Sequence, residues 1–300
     1  VTIASAPDLE TRPSTGVRPL LGRLVRRPAG AFGMAVVAAL VLVAVFAPYI
    51  VPYDGAVQDI PNRLQGPSGS HLLGTDGLGR DLLSRILLGV RVELAVALPA
   101  VCAALVLGLL LGLVAGYLGG WVDNAVVVFM DTIQAFPSVV LALVLVAVLG
   151  PSLTNLVIVV AITFAPQSAR VTRASVLALR QSPFIEAERS LGASTLRIIG
   201  VHVLPNVIAP LFILLAMNIP SAITVEAGLS FLGMGVQPPT PSWGVILSDG
   251  FADVYEAPWA VLWTALALVL TTIGFTTLGE TLRDVSDPRL SGAKGLRYDR

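Results

Sequence analysis

Two carboxylates sit inside apolar runs of this 300-residue chain, Asp131 in VVVFMDTIQAF and Glu226 in SAITVEAGLSF. A carboxylate at the centre of a membrane-crossing helix costs about 2.5 to 3.5 kcal/mol on insertion scales. Glu226 must therefore face a wet cavity, find a partner or carry a proton. Two roles stay open for it: a place on a solute pathway, or a structural hydrogen bond between helices. Asp131 lies about two helical turns from the end of its run. It is open to the same pathway role or to simple contact with the polar membrane interface.

Other chemistry is poorly supplied. A phosphate-binding loop needs G-x-x-x-x-G-K-[ST], and the one lysine, Lys294 in SGAKGLR, is followed by glycine and lacks the first spaced glycine. Energy for any work must come from a partner or an ion gradient. Ser230 in GLSFLG is not expected to be a nucleophile, because His71 and His202 fall in other segments and no general base is at hand. Cys102 is the single cysteine, so an intrachain disulfide and cysteine metal clusters are excluded. His202 has no companion at metal-ligand spacing, which leaves interface packing as its expected role. The chain reads as non-enzymatic, with no metal and no cofactor of its own.

The elements that position these residues follow from composition. Hydrophobic residues make up 55% and charged residues 13%, with mean hydropathy +0.83, whereas soluble domains carry roughly 25% charge. This is an integral membrane protein. A bilayer crossing takes about 20 apolar residues, and six windows qualify: Pro28 to Tyr53, Leu94 to Val122, Asn124 to Gly150, Ser152 to Ala169, Ile198 to Leu232 and Ala257 to Gly279. The Gly150-Pro151 pair divides the third from the fourth. Arg12, Arg18, Arg23, Arg26 and Arg27 precede the first window, too basic a lead for a cleaved signal peptide, so it reads as a retained span. The expected fold is an all-α polytopic bundle.

Orientation follows from the basic residues. The amino tail, the island with Arg170, Arg173, Arg180, Arg189 and Arg197, and the tail with Arg283, Arg289, Lys294, Arg297 and Arg300 are all rich in them. Six spans place all three on the cytoplasmic side, both termini included. The loop Gln237 to Glu256, without Lys or Arg, then falls outside. Between Asp54 and Glu93 four arginines are balanced by Asp59, Asp76, Asp81 and Glu93. GRDLLSRILLGVRVEL has helical spacing and is expected to be an amphipathic segment on the outer surface. The chain divides into an amino tail (1–27), a first span with this segment (28–93), a core (94–284) holding a cytoplasmic loop (170–205), and a carboxyl tail (285–300). Gly108, Gly112, Gly116 and Gly120 recur on one face of the second span for close helix packing.

The loop contains a compact island, QSPFIEAERSLGASTLRIIGVHVLP. Ser182 can cap a helix that starts at Pro183, Glu186 suits its positive end, and Gly192 can end it in a left-handed conformation. Ser194 can cap a second helix, Thr195 to Val203, stopped by Pro205. Glu186 and Arg189 are spaced to pair. Phe184, Ile185 and Leu191 beside these charges make a docking knob for another protein.

At these residues the chain resembles the EAA loop of ABC-transporter permeases, which docks into a groove of the ATPase subunit. Glu186, Ala187, Gly192, Leu204 and Pro205 match the pattern. Glu188 stands where the second alanine is usual, and His202 where a branched aliphatic is commonest. HLLGTDGLGRDLLSRILLGVR, EAGLSFLGMGVQPPTPSWG and LGETLRDVSDPRL are similar to the dipeptide, oligopeptide and nickel class of these permeases. The resemblance implies a type I importer of MetI-like fold. Its implied partners are a second permease, cytoplasmic P-loop ATPases that use ATP and Mg, an extracellular solute-binding protein and membrane lipid, with no nucleic acid. It further implies a bacterial cytoplasmic membrane location. Peptide is preferred over nickel because no His-rich or Cys-rich cavity is legible. An ion-coupled secondary transporter using Asp131 and Glu226 is the rival, and it leaves the cytoplasmic knob unexplained.

Overall fold

The computed structural model describes residues 22–286, and among these the regular structure is helical, with one isolated bridge between Thr75 and Asp81. The amino tail before Gly22, Lys294 and the DPRL end of the last motif lie outside the described residues. Helix α1 (Pro28–Ile50) starts on a proline, whose missing N–H costs nothing at a first position. It lies along α9 (Trp259–Ser286): a Cβ added to Gly33 would stand 2.7 Å from the Leu278 nitrogen.

Helix α2 (Leu82–Leu118) has 37 residues, about 55 Å at 1.5 Å per residue, and so outruns the roughly 30 Å hydrocarbon layer. The expected amphipathic surface helix is corrected here. LLSRILLGVRVEL forms the first turns of α2 itself, and Arg85 and Glu93 point inward at 1% exposure. Residues 51–81 fold over this end as a cap with one 3-10 turn (Ile60–Asn62), supplying the Asp76 carboxylate that faces the buried Arg85. Asp81 caps α2 by accepting from the Ser84 N–H at 2.8 Å.

Three of the four expected stripe glycines pack against α5 (Leu153–Arg180); a Cβ on Gly112 would lie 2.5 Å from both the Ala169 oxygen and Thr172 Cβ. Gly120 does not belong with them. Gly119, at φ +70°, breaks the helix, and Gly120 opens α3 (Gly120–Gln134) with nothing near its Cβ position.

The expected third span is not one helix. Helix α3 and α4 (Ser138–Leu149) meet at 92°. Pro137 has no N–H to continue the ladder and drives Phe136 away from helical geometry. Five helices are long and apolar enough to cross a membrane, and six if this bent pair is one span.

Helix α5 leads into the short α6 (Pro183–Ser190) and then α7 (Thr195–Phe231). The expected stop at Pro205 is also corrected: the helix continues through it. A π-helical turn over Ile198–Val203 lies just before it. That widened turn displaces the ladder where the proline ring would meet the carbonyl four residues back. Helix α8 (Trp243–Ala252) then lies at the same end as the cap.

The main core joins α2, α5, α7 and α8 through side chains such as Val101, Leu156, Ile223 and Trp243. A smaller core of Val176, Ile185, Ile198, Val203, Val207 and Leu211 lies at the opposite end. The molecule thus has a cap end and an elbow end.

Candidate functional site

The elbow is built from local signals. Pro183 starts α6, Glu186 sits in its first turn, and Gly192 follows at φ +83°. The Gly192 and Ala193 N–H groups donate to the Arg189 and Glu188 carbonyls, both at 3.0 Å, closing the last turn. Ser194 accepts from the Arg197 N–H and opens α7. Ser182 does not cap with its side chain; its Oγ donates to the Leu179 carbonyl at 2.5 Å instead.

Two expectations for the knob change. Ile185 is fully buried in the small core and anchors the elbow, while Leu191 and Leu196 are 85% and 82% exposed and half-exposed Phe184 lies nearby. Among the described residues no ion pair joins Glu186 and Arg189; the Arg189 guanidinium sits 5.8 Å over the Tyr117 ring at the end of α2. Glu186 and Ala187 are exposed, as is Pro205, and Leu204 is half-buried. The two positions that depart from the family pattern meet. His202 Nε2 stands 3.5 Å from Glu188 Oε1, and its ring meets Phe184 edge-on at 5.9 Å.

A cavity of about 790 Å³ opens beside the bend between α3 and α4, walled also by α5, α7 and α9. Gln134, Ser138, Thr163, Gln167, Arg170, Ser221, Thr224, Thr272 and Thr276 give it a polar lining. Gln134, Ser138, Gln167, Ser221 and Thr224 are exposed on the bundle's flank. Lipid cannot satisfy such groups, so this face needs water or another protein surface. Asp131 stands at the rim, 2.9 Å from Arg170. Glu226 is fully buried and outside the lining.

Sequence reasoning passed over the lining itself. Thr163 and Thr224 donate to the Val159 and Pro220 carbonyls of their own helices, which lets hydroxyls sit inside apolar runs without breaking hydropathy. The recurring polar positions at helical spacing, 163, 167 and 170, were the available signal.

Residues 108–292 match the model of the family described as binding-protein-dependent transport system inner membrane component. The chain belongs to this family of ABC-importer permeases. Residues 20–67 match the N-terminal transmembrane domain of oligopeptide transport permease C. A glutathione transport system permease protein, GsiD, of Shigella flexneri serotype 5b is 45% identical over 254 residues, 84% of each chain. A dipeptide transport system permease protein, DppC, of Alkalihalophilus pseudofirmus is 40% identical over 258 residues, 86% of this chain and 85% of that one. A crystal structure of an amino acid ABC transporter with histidines aligns at TM-score 0.53 with 19% identity, covering 66% of this chain and 92% of that one, a likeness of fold.

In this permease the acids at the cap end are structural in their contacts. Glu93 Oε1 accepts from the Trp243 N–H at 3.0 Å, and Glu226 Oε1 accepts from Ser230 Oγ at 2.6 Å. The two carboxyl groups are neighbours, and among the described residues the Oε2 of each has no hydrogen-bond partner. Ser230 Oγ also accepts from the Val236 N–H at 3.0 Å, so the pair pins the loop before α8. Arg80 bridges Asp76 and Asp249 at 2.7 and 2.9 Å, and Arg85 backs it at 3.4 and 3.6 Å, tying α8 to the cap.

Proposed function

We propose that this permease forms, with a second homologous permease, the pathway of an ATP-driven importer of small peptides. The observation that carries this reading is the polar face around the 790 Å³ cavity, left open on the flank of apolar helices. A second permease against that face would close the cavity into a channel. Peptides suit its hydroxyl and amide lining, and the related GsiD and DppC permeases are named for glutathione and dipeptide transport. The elbow end faces the cytoplasm with both tails (1–27 and 285–300) and loop 170–205; the cap end meets the extracellular solute-binding protein.

ATP and Mg act in the partner ATPases, consistent with the lack of a phosphate-binding loop here. Leu191, Leu196 and Phe184 on the elbow meet the ATPase groove, framed by Glu186, Ala187 and Gly192. Ile185 and the Arg189–Tyr117 contact support a rigid link to α2 and α7. Leu204 and Pro205, after the π-turn, pass elbow movement into α7, and alternating access follows from rigid-body motion. Asp131 belongs to the pathway rim, and Glu226 holds the cap end in place. Reconstitution with the second permease, ATPases and binding protein tests this. Peptide uptake should require ATP and every partner; uptake by this chain alone under an ion gradient would overturn it.

A further inference from the structure

Two arginines one helical turn apart on α5 reach to α3, and they are bonded differently. Arg173 grips Asp123 with two parallel bonds, Nε to Oδ1 at 2.5 Å and Nη2 to Oδ2 at 2.6 Å, and the pair is mostly shielded. That geometry is a closed clamp. Arg170 makes a single bond, Nη2 to Asp131 Oδ1 at 2.9 Å, with the side chains 60% and 58% exposed. Most of the guanidinium's five donors are left free. Among the described residues Arg170 is the one charged side chain lining the cavity, and Asp131 stands outside that lining. Along α5 it lies about 25 Å from Leu153, near the elbow-side edge of a roughly 30 Å hydrocarbon layer.

We infer that Arg170 is a specificity residue that takes the solute's carboxylate in place of Asp131 as the solute leaves the cavity toward the elbow end. The inference rests on the peptide reading above. An exposed, singly bonded ion pair is weak, so exchange for a free carboxylate is nearly isoenergetic, and a guanidinium can receive that carboxylate with two parallel bonds. Among the described residues no acid lines the cavity, so the one charged contact its lining offers a peptide is to the carboxylate. Arg173, already doubly bonded, takes no part and holds α3 to α5.

The test uses the complete importer in proteoliposomes with loaded binding protein at saturation. Uptake of a tripeptide with a free carboxyl terminus is compared with that of its carboxamide for the unmutated complex and for Arg170→Gln, Arg170→Lys and Asp131→Asn. Arg170→Gln should slow the free acid about fivefold, the scale of one exposed charge contact, and the amide less than twofold. Arg170→Lys, which keeps the charge but not the two parallel bonds, should recover only part of the loss, and Asp131→Asn, which removes the competing carboxylate, should raise free-acid uptake. A purely structural clamp gives the opposite: equal losses for Arg170→Gln and Asp131→Asn, and the same loss for acid and amide. Either pattern overturns the inference. If the binding protein refuses the amide, the free-acid comparison of Arg170→Gln with Asp131→Asn decides alone. Absence of peptide uptake by the unmutated complex would instead sink the peptide reading.

Discussion

Replacing Gly192 separates the geometry of the elbow from its surface. The residue sits at φ +83°, and nothing lies within 4 Å of where its Cβ would be. Within this chain a side chain there therefore costs backbone energy and no steric overlap. Holding an L-residue in the left-handed region costs about 1–2 kcal/mol, a factor of about 5–30 between the bent elbow and its alternatives. Asparagine tolerates this region better than alanine, and a β-branched residue tolerates it worse. Uptake and the amount of ATPase that co-purifies should both fall in the order Gly192, Gly192→Asn, Gly192→Ala, Gly192→Val, with the membrane crossings retained. Size alone would place asparagine below alanine. If Gly192→Asn is worse than Gly192→Ala, the site is limited by contact with the partner and the conformational argument is wrong; an unaffected Gly192→Val would refute it equally.

The packing of α2 on α5 predicts that Gly112→Leu, whose Cβ would meet the Ala169 carbonyl and Thr172, forces the helices apart at about 1–3 kcal/mol or more. Thermal unfolding in detergent should show it, while Gly66→Ala in the cap, with open space around it, should change stability little. For the buried acids, Glu226→Gln keeps an oxygen that can accept from Ser230 and places an amide beside Glu93, so it should unfold close to the unmutated temperature. Glu226→Ala leaves Glu93 and Ser230 without their partner and should cost about 1–3 kcal/mol, read by the same melt. Equal melting temperatures for these two variants would show that the carboxyl contact contributes nothing.

Much of this architecture is written locally. Apolar run length fixes the crossings because each helix must span the same hydrocarbon thickness. Pro183, Gly192 and Ser194 fix the elbow because capping and backbone φ depend on neighbours in the chain. The close approach at Gly108, Gly112 and Gly116 follows from their four-residue spacing.

Only the tertiary structure decided the rest. Helical spacing over Leu82–Glu93 looks the same whether its polar side faces water or a folded cap; the distant Asp249 and the cap residue Asp76 turn Arg85 inward. Hydropathy counts Asn124 to Gly150 as one run, since it registers apolar content and not the 92° break at Pro137. Ile185 reads as part of an exposed knob until α5 and α7 close over it. Glu226 carries a buried charge problem that no local pattern resolves. Its partner, Glu93, comes from another helix, and the desolvation of a carboxyl group depends on what packing brings to it in space.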